Sequence, residues 1–198
     1  MQFSISLPID AIKEKILREF QYFSNLIIKA SPGSGKTTRI PLFLLEQTDK
    51  MIYILEPRRL AAKLAATQVA HELGEKVGDR VGFMFRYEKA MSSNTRILFL
   101  TEGTFLKILS QNKNLEGVGI VILDEFHERH LSTDAALGFT SKLQKEKRHD
   151  LKMIVMSATI DTTKLENFLG TFSSTKCLEL SSTRFPLHVH YLPNVTSI

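Results

Sequence analysis

The stretch Leu26-Ile27-Ile28-Lys29-Ala30-Ser31-Pro32-Gly33-Ser34-Gly35-Lys36-Thr37-Thr38 decides how the rest of the chain is read. An apolar run meets a turn of small residues, and a lysine with two hydroxyls follows. Gly33 and Gly35 let the backbone aim its N–H groups at one point. Lys36 supplies positive charge for β- and γ-phosphates. The Thr37 hydroxyl can ligate Mg²⁺, and the helix expected next turns its positive end toward the same anion. Ser31, Pro32, Ser34 and Thr38 complete the loop. The general pattern has glycine where Ala30 stands, a mild change that leaves the Gly-Lys-Thr ending intact. The plainer alternative is a glycine turn that only joins strand to helix. The strand before, the helix after and the intact ending favour the phosphate loop.

Four more segments share this layout. Residues 52–55 run into Glu56-Pro57-Arg58-Arg59, and 97–100 into Thr101-Glu102-Gly103. Residues 118–123 run into Asp124-Glu125-Phe126-His127, and 153–156 into Ser157-Ala158-Thr159. Short apolar runs separated by helix-length segments read as buried strands of a parallel sheet. Every carboxyl end then faces one edge, where ligands bind. The expected architecture is α/β: a three-layer sandwich, mainly parallel, with helices on both faces.

An acidic pair at the end of a buried strand completes a phosphate-loop site. Asp124, opposite Thr37, is expected to hold Mg²⁺ through water, and Glu125 to orient and deprotonate an attacking water. The plain alternative is that both only cap the next helix; the upstream lysine loop weighs against it. His127-Glu128-Arg129-His130 invites a metal reading, but a zinc-protease helix needs His-Glu-x-x-His, and Leu131 stands where the second His belongs. His71, His149, His188 and His190 are scattered and read as structural or exposed.

The 198 residues, with 43% hydrophobic content, suit one domain with a sizeable core. A net charge of +5 fits a polyanion partner, though weakly. The single cysteine, Cys177, excludes an internal disulfide and suits a reducing, cytoplasmic compartment; it reads as a small apolar strand residue. No apolar run approaches the roughly 20 residues of a membrane span, and the first ten residues do not read as a signal peptide.

Helical spacing over 9–23 predicts an opening amphipathic helix within segment 1–24. Helices are also expected over 37–46, with Pro41 in the first turns, and over 58–73, 104–111, 133–147 and 162–169. Residues 81–87 should be extended, and late strands are expected over 177–180 and 188–192. The basic run over 142–148 reads as an exposed helix end.

With these residues in hand the chain resembles the DEAH/RHA group of superfamily 2 helicases, on its HrpB-type branch. The resemblance rests on SPGSGKTTRIPLFLLE, LEPRRLAAKLAA, LGEKVGDRVGF, TRILFLTEG, LEGVGIVILDEFHERHLSTDAALG and DLKMIVMSATID in that order. It implies that 1–198 is a single RecA-like ATP-binding domain, the first of two. The run over 184–198 would lead toward the second, and the chain would be part of a longer, monomeric protein. ATP and Mg²⁺ are the implied cofactors and single-stranded nucleic acid, RNA first, the implied partner. Lys36 and Thr37 match the phosphate and metal residues, and Asp124 and Glu125 the metal carboxylate and the base. His127 matches the histidine linking the nucleotide site to the rest of the motor. Ser157 and Thr159 match the pair coupling hydrolysis to strand movement. Arg58, Arg59, Thr101 and Arg86 match contacts to the nucleic-acid backbone. Cations at 58 and 59 sit at the unfavourable end of the expected helix and want an anion. The group usually has alanine after the acidic pair, and Phe126 stands here, as is common on the HrpB-type branch. Two departures stand out: Gln68 stands where an adenine-stacking arginine is common, and the chain stops at Ile198, where the resemblance places the start of the second RecA-like domain. A nucleotide-dependent binding module without turnover is the rival reading.

Overall fold

Along β1 (Asn25–Ala30) successive side chains point to opposite faces. Leu26 and Ile28 enter one core and Ile27 the other. The same alternation runs through β2 (Met51–Leu55), β5 (Ile97–Leu100), β6 (Val118–Leu123) and β7 (Lys152–Ser157). Each of these strands is buried on both sides, hence the continuous apolar runs. The computed structural model describes residues 5–159 and 161–180. The strand expected over 188–192, the run over 184–198, His188 and His190 lie outside the described residues.

The sheet order is β4-β3-β5-β2-β6-β7-β1-β8, with β3 at Val81–Met84, β4 at Lys89–Ala90 and β8 at Thr175–Leu180. All neighbours are parallel except the β3–β4 hairpin. Helices α1 (Lys13–Tyr22), α2 (Lys36–Leu44) and α3 (Arg59–Glu72) cover one face. Helices α4 (Glu102–Gln111), α5 (Leu131–Glu146) and α6 (Thr162–Gly170) cover the other. This is the expected three-layer architecture.

Differences from the sequence reading have local causes. The opening segment begins as a 3₁₀ turn, Pro8–Ile12, before α1. Pro41 lies in the second turn of α2, within the first turns expected of it. Strand β4 is two residues long and carries too little pattern to be foreseen. The 142–148 run is not simply an exposed helix end. Arg148 donates to the carbonyls of Asn114, Leu115 and Val118 at 2.6–2.7 Å and to Asp150. It thereby ties the end of α5 to the loop before β6. Phe126 is buried in the second core, a space an alanine would leave unfilled.

Candidate active site

Strand order brings the expected site residues together. β7 lies between β1 and β6, so the turns after β1 and β6 flank the turn after β7. In register, Ser157 sits beside Lys29, at the entrance to the phosphate loop. Gly33 and Gly35 adopt φ +74° and +89°, a region glycine enters without steric cost. Gly35 is the N-cap of α2, so Lys36, Thr37 and Thr38 form its first turn. The loop is braced from behind: Ser34 accepts a hydrogen bond from the Ile9 amide at 3.0 Å, and Leu7 packs against Gly35. Arg39, one turn into α2, is buried; it pairs with Asp10 at 3.4 Å and with Glu72, and donates to the Ile5 carbonyl.

The two halves of the site meet directly. The Lys36 ammonium donates to Glu125 Oε1 at 2.8 Å, and the Thr37 hydroxyl donates to Asp124 Oδ2 at 2.5 Å. Lys36 is only 3% exposed, so it lies beneath the rim rather than on it. Asp124 is buried, its amide bonded to the Leu55 carbonyl and its Oδ1 accepting from the Glu125 amide. Burial pushes its carboxyl up to about 6, against the opposing pull of Lys36 and of the Thr37 hydrogen bond. A hydroxyl and a carboxylate oxygen side by side, with the carboxylate short of positive charge, are the hard donor set that Mg²⁺ takes.

Glu125 stands in the left-handed region, φ +46°, which a non-glycine residue adopts only when its surroundings demand it. This bends the chain sharply off β6 into a 3₁₀ turn, Phe126–Glu128. His127 Nδ1 lies 3.3 Å from Glu125 Oε2, while His130 Nε2 lies 3.3 Å from Glu128. The two histidines therefore face different carboxylates. His127 and Thr159 line one cavity of about 500 Å³ between the acidic turn and α6. Ser157 is fully buried, with no hydrogen-bond partner for its hydroxyl among the described residues.

One further residue of this site carries no signal of its own in the sequence. Glu56 follows β2, and the Leu55–Leu123 register sets it beside Asp124. It is 4% exposed, and burial, then the charge of Asp124, raises its carboxyl to about 8. A glutamate next to a proline and two arginines reads as surface; only the strand pairing reveals it as buried.

The four expected nucleic-acid residues divide. Arg59, Arg86 and Thr101 line one groove of about 930 Å³ between the β3–β4 hairpin and α4, which Tyr87, Lys89 and Lys107 also edge. Arg58 lines a different cavity of about 270 Å³, with Thr37, Glu56, Glu125 and Glu128, and pairs with Glu128 at 2.9 Å. Gln68 is exposed on α3, where it donates to Glu72.

Fold and site together define a phosphate-loop domain of the RecA-like kind. The chain belongs to the DEAD/DEAH box helicase family, whose model matches residues 10–168. It is 38% identical over 190 residues to the ATP-dependent RNA helicase HrpB of Escherichia coli, covering 95% of this chain and 23% of that protein. It is 35% identical to the ATP-dependent RNA helicase HrpA homolog of Haemophilus influenzae, covering 98% of this chain and 15% of the relative. The crystal structure of the Escherichia coli DEAH/RHA helicase HrpB superposes with TM-score 0.87 at 38% identity, over 95% of this chain and 24% of that one. The chain thus spans about a quarter or less of these relatives. Among the described residues, no helix is long and apolar enough to cross a membrane.

Proposed function

We propose that this chain is the ATP-binding first motor domain of an RNA helicase. The observation that carries the reading is the direct junction of Lys36 with Glu125 and of Thr37 with Asp124. These bonds join the turns after β1 and β6, beside a groove edged by basic residues. The loop from Ser31 to Thr38, through the backbone N–H groups of all its residues but Pro32, and the Lys36 ammonium bind the phosphates. A phosphate that takes Lys36 draws it from Glu125 and leaves that carboxylate free. Glu125 then orients a water and takes its proton as the water oxygen attacks the γ-phosphorus and the bond to the departing ADP breaks. Thr37 and Asp124 would hold Mg²⁺, which neutralises charge on the phosphate oxygens when bound. His127 with Ser157 and Thr159 connects this site to the α6 side of the domain. Arg59, Arg86 and Thr101 bind phosphate and sugar of a single strand with little sequence preference. The remaining motor elements, including a second RecA-like domain, belong to a longer monomeric protein of a reducing, cytoplasmic compartment.

The test is Glu125→Gln in the full-length protein. Nucleotide binding should persist, while RNA-stimulated hydrolysis falls by roughly two orders of magnitude or more. Near-normal turnover would remove Glu125 as the base. A parent that binds RNA and nucleotide but never hydrolyses would establish the binding-module reading instead.

A further inference from the structure

Arg58 and Arg59 are neighbours in sequence but not in environment. Arg59 opens α3 and lines the groove. Arg58, its N-cap, turns into the small cavity shared by Thr37, Glu56, Glu125 and Glu128. Two contacts tie it to the nucleotide side. Its guanidinium lies 2.9 Å from Glu128 Oε1, and its amide donates to Glu56 Oε1 at 3.4 Å. Both partners lead directly to the acidic turn. The Glu128 amide is bonded to the Glu125 carbonyl at 2.9 Å, and Leu55, just before Glu56, accepts from the Asp124 amide at 2.9 Å.

We propose that Arg58 is a positioning residue that couples the nucleic-acid groove to the acidic turn through Glu128. This rests on the helicase reading above and assigns Arg58 a role different from a plain backbone contact. Without a strand, Arg58 is held by Glu128. A strand phosphate arriving at Arg59 competes as an anion for the adjacent guanidinium. Because the Arg58 side chain is 72% exposed, its pair with Glu128 is weak and readily exchanged. Losing that pair releases Glu128, and with it the strained turn on which Glu125 sits. Information passes over a single peptide step, from Arg59 to Arg58.

Coupling is measured as the ratio of affinities for a labelled non-hydrolysable Mg²⁺-ATP analogue with and without saturating oligouridylate. In the wild-type chain the ratio should depart from one by about fivefold or more. Arg58→Ala should bring it near one while RNA binding stays measurable. Arg59→Ala should weaken RNA binding yet keep the ratio at saturation. Arg58→Glu combined with Glu128→Arg should restore coupling, which a purely structural role would not do. An Arg58→Ala ratio equal to wild type, or a wild-type ratio of one, overturns the proposal. A wild-type chain that binds no analogue at all overturns the nucleotide-site reading itself.

Discussion

The Lys36 ammonium and the Glu125 carboxylate form an ion pair at 2.8 Å, across the gap between the ends of β1 and β6. Each is therefore held by the other, and a phosphate must compete for the lysine. Because Glu125 is about a quarter exposed while Lys36 is almost fully buried, water reaches the pair from the glutamate's side.

Lys36→Ala should therefore leave a folded domain, since the stranded Glu125 carboxylate can be solvated. Loss of charge-assisted bonds to phosphate, about 1.5–3 kcal/mol, should cost roughly ten- to a hundredfold in nucleotide affinity. Titration of a fluorescent nucleotide against both forms measures this, with a thermal melt to verify folding. Equal affinities would contradict the phosphate-loop assignment.

Stability should fall as pH rises, because of Glu56. Its folded value of about 8 exceeds its ordinary 4.5, so unfolding releases a proton between those limits. Its contribution is full below 4.5 and lost as pH climbs through 8. Asp124 acts in the same sense between 3.8 and about 6. One proton released corresponds to a slope of at most about 1.4 kcal/mol per pH unit. Glu56→Gln keeps the shape and removes the titration. Urea midpoints from pH 6 to 8 should be flatter for the variant, and higher than wild type at pH 8. Parallel profiles would mean Glu56 is ionised in the folded protein.

Gly82→Ala tests the hairpin that carries Arg86. A methyl at Gly82 would collide with the Ala90 carbonyl oxygen and press on Met91. The backbone must shift, at a cost of about 1–3 kcal/mol. RNA affinity should drop several-fold while nucleotide affinity holds, because the phosphate loop lies several strands away. Parallel titrations of oligouridylate and nucleotide would decide it; an equal loss of both would indicate global damage.

Much of this was legible because the chemistry sits at strand ends. Apolar runs fixed the locations of β1, β2, β5, β6 and β7, and the small or charged residue after each run named its turn. What escaped depends on lateral pairing. Glu56 is buried only because β2 lies next to β6, and Arg58 parts from Arg59 only because α3 begins between them. Arg39 falls inside the helix expected over 37–46, and nothing in the sequence marks it out, yet Asp10 and Glu72 converge on it from distant segments. No local pattern encodes such meetings.

The position of β1 in the sheet also orders events in time. Both of its neighbours, β7 and β8, are made last among the described strands, and the Ser24–Ser174 hydrogen bond at its edge spans 150 residues. At about 5–20 residues per second, a ribosome takes roughly 7 to 30 seconds to supply those partners. During that interval the phosphate loop exists as sequence but its strand has no edge to join, while β2, β3 and β5 can already pair with one another. A nascent chain stalled before β7 would present β1 as an unpaired apolar strand, open to capture by a chaperone or by another copy.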